Sequence, residues 1–263
     1  MGNKEVSLEE LMQKTTDGLV SIITPLYNGE KYIEQAIESV QAQTYQMWEM
    51  LIIDDASTDD SITIVKQIQA KDSRIKLLHN KTNCGAAYSR NLGLQEAKGR
   101  YVAFLDSDDV WLSHKLQIQL DKMRREKVGF CYGNCHVIDE NGMICGKTRV
   151  APACINYKKL LYGNPIPCVT VLLDRWMVGQ VQMPMIGHED YATWLNILKE
   201  RIPYAVGVEE VVAEYRENRS SLSGNKKKAI KWQWHIYRRY LKFNVIKSVY
   251  YFIAYAYQAV KKR

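Results

Sequence analysis

Apolar positions along this chain switch between two periods. Leu19-Val20-Ser21-Ile22-Ile23-Thr24 is a short, largely β-branched run closed by Pro25, which predicts a first strand. Ile33, Ala36, Ile37 and Val40 then recur at helical spacing within 30–43. Strand-like runs return at 48–53, 75–79 and 101–105. Between them lie a helix carrying Ile62, Val65 and Ile68, introduced by Ser57-Thr58-Asp59, and a helix that opens at Asn83-Cys84-Gly85 and runs through Ala97 to a stop at Gly99. Such alternation predicts βαβ units and a parallel sheet. Beyond Trp111 the pattern is mixed: a hairpin from 130–138 through Asn141-Gly142, a loop at 164–167, a strand at 168–173 and a helix at 190–199.

Composition is that of an ordinary soluble globular protein. Its 263 residues are 46% hydrophobic and 25% charged, enough for one large domain or a domain with a tail. No run approaches the ~18 apolar residues of a spanning helix. Residues 1–17 form a polar leader without the apolar stretch of a secretory signal, so a cytoplasmic protein is expected. Six scattered cysteines fit cytosolic thiols, and Cys131 and Cys135 lack the second pair that a zinc site needs. The net charge of +7 is uneven: residues 226–263 carry +11 with no acid, leaving −4 for the remainder.

Chemistry concentrates where the strands end. Tyr101-Val102-Ala103-Phe104-Leu105 reads as a strand buried on both faces, and it runs into Asp106-Ser107-Asp108-Asp109. Three carboxylates in four residues repel one another, and a hard divalent cation such as Mg²⁺ or Mn²⁺ relieves that. The carboxyl ends of strands are also where open α/β sheets bind ligands. The plainer alternative is an acidic loop whose Asp109 caps the next helix. Farther on, Glu189-Asp190 follows His188 at the start of a helix, where the helix dipole favours an ionised carboxylate.

Four motifs in order, each at a predicted strand end, resemble the family 2 glycosyltransferases of GT-A fold: Pro25-Leu26-Tyr27-Asn28, Asp54-Asp55 with Ser57-Thr58-Asp59, Asn83-Cys84-Gly85 with Ser89-Arg90-Asn91, and Asp106-Ser107-Asp108-Asp109. The acid pair Glu189-Asp190 stands where that family has one, and the likeness covers roughly 18–215. Within the family, residues 176–263 are most similar to bacterial teichuronic-acid and surface-polysaccharide transferases.

The resemblance implies a Rossmann-like nucleotide-sugar half (18–110), an acceptor half (111–225) completing a mixed sheet, and a basic, aromatic helical tail (226–263). It implies that Pro25, Tyr27, Asp55, Arg90, Asp106 and Ser107 bind a nucleotide-diphosphate sugar, UDP-sugars being favoured. By the same likeness Asp108 holds Mn²⁺ or Mg²⁺, Asp109 caps a helix, and Asp190 is the general base of an inverting transfer. Glu189, His188, Arg216 and Lys226 are further candidates, the last two as diphosphate contacts from a flap at 215–226. The implied acceptor is a saccharide, lipid-linked through a polyprenyl carrier.

The tail interleaves cations with Trp232, Trp234, Tyr237, Tyr240, Phe243, Tyr250, Tyr251, Phe252, Tyr255 and Tyr257. Two amphipathic helices of this kind suit an anionic membrane surface and a peripheral location on the inner face of the plasma membrane; the alternative packs the aromatic stripe on the catalytic domain. No recognised nucleic-acid motif accompanies the cations. A nucleotidyltransferase would want a glycine-rich, basic loop after the first strand, and Pro25-Leu26-Tyr27-Asn28-Gly29-Glu30 is not one. A catalytically silent sugar- or lipid-binding module is the other rival.

Overall fold

Strand β1 (Val20–Leu26) pairs in parallel with β2 (Trp48–Asp54) on one side and β4 (Tyr101–Phe104) on the other, and β2 pairs in parallel with β3 (Ile75–His79). Residues 17–217 and 226–261 are described by the computed structural model. Helices α1 (Ile33–Gln41), α2 (Ser61–Gln69) and α3 (Ala86–Glu96) connect these strands. The strands read as nearly unbroken apolar runs because both faces of the sheet are covered. Ile22, Leu26, Met50 and Ile52 pack with Ile33, Ile37 and Val40 in one core, and Ile23, Leu51, Ile53 and Phe104 pack with Leu94 in the other. Winding runs outward from β1 to β3 and then returns to β4 on the opposite side of β1, which opens a crevice at the carboxyl ends of β1 and β4.

Two sequence signals act differently from expectation. Pro25 does not stop β1 but lies inside it, opposite Ile53. Its missing N–H would point towards β4, whose pairing with β1 has already ended at Ile23 and Phe104, so no ladder bond is lost. Gly99 is not a left-handed cap. Helix α3 ends in extended Ala97, and Gly99 is required because a Cβ there would lie 2.5 Å from the Leu19 carbonyl oxygen.

The second half extends the same sheet. Its elements are β5 (Val110–Trp111), α4 (Lys115–Glu126), β6 (Phe130–Ile138), β7 (Cys154–Ile155), α5 (Tyr157–Leu160), β8 (Leu172–Asp174), α6 (Arg175–Val178), α7 (Glu189–Glu200) and β9 (Ala205–Arg216). The order continues β4-β8-β6-β9-β5, with β7 also on β9. Since β8 is antiparallel to β4 and β6, and β9 is parallel to β6, Ile138 and Arg216 end their strands at the same edge as Asp106. The expected hairpin is present: Ile138 bridges Ile144, Cys135 bridges Arg149, and Gly142 turns at φ 81°. The strand expected at 168–173 is a 3₁₀ turn, Cys168–Thr170, followed by the short β8.

The tail forms α8 (Lys226–His235), a π turn at Ile236–Tyr240 and α9 (Val245–Lys261). Ile236 and Tyr237 are fully buried, and Tyr251 and Phe252 pack on the core that holds Tyr191 and Trp194. At about 1.5–3 kcal/mol for each fully buried large side chain, this packing makes the tail part of the domain's core. Among the described residues, no helix is long and apolar enough to cross a membrane.

Candidate active site

The first wall of the crevice is built by Asp55. One carboxylate oxygen accepts from Asn80 Nδ2 (2.7 Å) and the Cys84 amide (2.9 Å), the other from the Gly85 amide (2.7 Å). Those bonds fasten the glycine that opens α3 to the end of β2, and Gly85 needs its freedom for φ 86°. Three of roughly four acceptor positions of the carboxylate are thereby used, leaving one for a ligand. Asp54 is structural, accepting from the Ser57 amide at 3.1 Å with His79 Nδ1 at 3.3 Å. Tyr27 is 51% exposed beside half-buried Pro25 at the end of β1, available as a stacking surface.

The aspartate loop forms the floor. Asp106, Ser107 and Asp108 are partly exposed, while Asp109 is buried. Asp109 caps no helix, contrary to expectation: β5 follows it and pairs with β9, and α4 begins only at Lys115. Its Oδ1 instead accepts from the Arg216 amide at 2.8 Å. Burial, and then the charges of Asp108 and Asp106, push the Asp109 carboxyl well above the usual range.

Arg216, expected as a diphosphate contact from a flap, is held in place at the end of β9. It is 3% exposed and donates to the Asp108 carbonyl (2.7 Å), the Asp139 carbonyl (2.9 Å) and Gln35 Oε1 (2.8 Å), with its guanidinium 4.3 Å from the Tyr32 ring centroid. It laces the aspartate loop to the end of β9. Of the expected flap, residues 218–225 lie outside the described residues, as does the side chain of Lys226.

Arg90 joins the two halves. Its buried guanidinium donates to Asp106 Oδ1 at 2.5 Å and to Glu189 Oε1 at 2.7 Å, which holds the aspartate loop against the start of α7. Its Nε is buried without a partner among the described residues. Cys168 lies close enough to feel the charges of Arg90 and Asp106. Burial raises its thiol well above the usual range, so it stays protonated and is a poor nucleophile.

Asp190 follows Glu189 in the first turn of α7. Burial, then repulsion from Glu189, raises its carboxyl from 3.8 to about 6 despite its place in the first turn, a value at which it is still mostly ionised at pH 7. Asn164 Nδ2 donates to Asp190 Oδ2 at 3.1 Å. The turn in front is tightly packed. His188 adopts φ 61°, its ring meets Trp232 edge-on at 5.3 Å, and burial lowers its pKa, keeping it neutral at pH 7. A Cβ on Gly187 would lie 2.3 Å from the Trp232 ring, so α8 rests directly on the turn that presents the acid pair. Asn164 and Trp232 were not anticipated as site residues. A loop asparagine carries no periodic signal, and a close approach to glycine is invisible before folding.

The donor set suits a hard divalent cation. Asp109 is buried against the Arg216 amide, whereas Asp106 and Asp108 place partly exposed carboxylates at the carboxyl end of β4. No three His, Cys, Asp or Glu side chains converge among the described residues. Mg²⁺-type sites typically use one or two carboxylates and complete the shell with substrate phosphates and water, so Asp108 fits that role. A cavity of about 670 Å³ lined by Gln95, Gly99, Arg100 and Trp176 opens at the amino end of β4, away from these groups.

Comparisons with known proteins agree with this geometry. The chain is 43% identical over 246 residues to TuaG of Bacillus subtilis, a protein named for teichuronic acid biosynthesis, covering 93% of this chain and 97% of that one. It is also 43% identical to WfgD of Escherichia coli, a UDP-Glc:α-D-GlcNAc-diphosphoundecaprenol β-1,3-glucosyltransferase, covering 94% and 95%. Among solved structures, S. aureus TarS 1–349 in complex with UDP-GlcNAc superposes with a TM-score of 0.69 at 19% identity, over 84% of this chain and 65% of that one. The mannosyltransferase PcManGT of Pyrobaculum calidifontis, in complex with GDP-Man and Mn²⁺, gives 0.65 at 17% identity over 92% and 73%. These likenesses show the GT-A fold. Residues 21–169 match the model of glycosyl transferase family 2, and the chain belongs to that family.

Proposed function

We propose that this protein is an inverting, metal-dependent glycosyltransferase of surface-polysaccharide assembly. It moves a hexosyl or related sugar from a nucleotide-diphosphate sugar, a UDP-sugar being favoured, to a hydroxyl of a polyprenyl-linked saccharide at the cytoplasmic leaflet. The carrying observation is Asp190: a carboxyl raised to about 6, oriented by Asn164 and set beside the Arg90 bridge to the aspartate loop. Support for the donor and acceptor classes comes from the UDP-sugar and diphosphoundecaprenol in the name of the relative WfgD.

On the donor side, Tyr27 and Pro25 stack on the base and ribose. Asp55 reads the base edge, and Asp106 with Ser107 receives the ribose. Asp108 is the residue that would hold Mg²⁺ or Mn²⁺, which when bound neutralises charge on the departing diphosphate. On the acceptor side, Asp190 removes the proton of the attacking hydroxyl. The new C–O bond forms at the anomeric carbon opposite the diphosphate, whose oxygen leaves with the bonding electrons. A base pKa near 6 keeps most of Asp190 ionised at pH 7 while retaining basicity. Glu189 is engaged by Arg90 and Cys168 is protonated, so neither is suited to forming a covalent intermediate.

A panel of nucleotide sugars, incubated with Mn²⁺ or Mg²⁺ and a short-chain GlcNAc-diphosphate lipid, tests this. The expected result is acceptor-dependent release of a nucleoside diphosphate and a product of inverted anomeric configuration by NMR. Release of pyrophosphate from a nucleoside triphosphate, retention of configuration, or no turnover with any donor would overturn it.

A further inference from the structure

Helix α9 is apolar on two faces. The inner one carries Ser248, Tyr251, Phe252 and Tyr255: Ser248 is fully buried, Tyr251 and Phe252 pack on the core, and the Tyr255 ring lies 3.3 Å from where a Gly163 Cβ would be. The outer one carries Val245, Ile246, Val249, Tyr250, Ile253 and Tyr257, which are 40–83% exposed. At 3.6 residues per turn those six fall within an arc of about 140°. A contiguous apolar stripe of this size on a finished domain marks an interaction surface.

Charge selects the occupant. Lys242 and Lys247 are exposed beside the stripe, Lys231 and Arg239 are exposed on the preceding elements, and no carboxylate occurs from 226 to 263. A second copy of this chain would oppose cation to cation. An anionic lipid leaflet satisfies both the stripe and its cations, and α9 is not long and apolar enough to cross it.

We propose that the outward face of α9 seats the protein on an anionic leaflet, with Ile246, Val249, Tyr250 and Ile253 at the acyl boundary and Lys242 and Lys247 among the headgroups. The inner face of the same helix lies against Gly163, next to Asn164, which holds Asp190. The leaflet therefore lies about one helix diameter, ~10 Å, beyond the loop that orients the base. That deepens the function proposed above and rests on it only for the identity of the acceptor.

Co-sedimentation of the full-length protein with phosphatidylcholine vesicles, with and without phosphatidylglycerol, is the test. Wild type is expected to bind only the phosphatidylglycerol vesicles, less tightly as salt rises. Ile246→Glu/Ile253→Glu should weaken binding about tenfold or more, and Lys242→Glu/Lys247→Glu should weaken it at low salt. Both variants should keep the wild-type melting temperature and turnover on a water-soluble acceptor, while transfer to an acceptor embedded in vesicles falls. Absence of wild-type binding, wild-type binding by Ile246→Glu/Ile253→Glu, or a solution dimer that this variant dissociates would each overturn the proposal. Vesicle binding is read without turnover, so an error in the assigned reaction leaves this result intact.

Discussion

Arg90 and Glu189 meet at 2.7 Å although ninety-nine residues separate them, and the same guanidinium reaches Asp106 at 2.5 Å. Removing it leaves two carboxylates facing one another without their shared cation. Arg90→Met should lower stability by about 3 kcal/mol, the scale for breaking a buried pair by removing one partner, and kcat/KM should fall with it. Arg90→Lys should recover little activity, because a single ammonium cannot reproduce a planar fork between two acids. Thermal melts and steady-state kinetics on both variants check this.

Asp190 makes two pH-dependent predictions. As the proposed base it must be ionised, so kcat/KM should decline as pH falls below about 6, and Asp190→Asn should abolish turnover. Its folded pKa lies above the ordinary 3.8, so the native state pays a charge-burial penalty that is absent below pH 4 and complete above pH 6. Asp190→Asn should therefore be more stable than wild type by about 1–3 kcal/mol at pH 8, with the gain vanishing towards pH 4. Asn164→Ala, which removes a donor to the charged form, should shift the acidic limb to higher pH.

Asp108 provides the metal test. Asp108→Asn should remain folded without ligand, yet lose the extra thermal stabilisation that Mn²⁺ adds to UDP. Turnover should drop by roughly a hundredfold or more, the scale of losing several kcal/mol of charge stabilisation on the leaving group. Equal stabilisation by UDP with Mn²⁺ in wild type and variant would contradict the assignment.

Gly187 and Trp232 form a pair whose coupling is measurable. A Cβ at 187 has to displace the indole, because it would lie 2.3 Å from the ring. Gly187→Ala should cost about 1–3 kcal/mol by overpacking and lower kcat, since the turn it distorts presents Asp190. In the Gly187→Ala/Trp232→Ala double variant the clash is gone, so the two single costs should be strongly non-additive in a double-mutant cycle.

Much of the sheet was legible because burial on both faces writes β1, β2 and β4 as continuous apolar runs, with the acids placed just after them. Longer-range choices were not. Whether Asp109 caps a helix or accepts from an amide depends on Arg216 at the end of β9, 107 residues away. Arg216 read as a loop cation, yet its partners belong to three other segments. The tail's composition suited both a membrane and a packed face, and only the fold divides α9 into Tyr251, Phe252 and Tyr255 on one side and Ile246 and Ile253 on the other. The raised pKa of Asp190 was hidden for the same reason: a helix start is a local signal, whereas desolvation is not.

Ile236 and Tyr237 complete a core that was begun more than two hundred residues earlier, at Ile23 in the first strand. A shortened protein ending before α8, trimmed for ease of handling, would uncover Tyr191, which lies beside Tyr237 and Gln233, and release the turn beneath Trp232. Such a fragment should aggregate and lose its base alignment together, because the C-terminal segment is a keystone of the catalytic unit rather than a detachable tether.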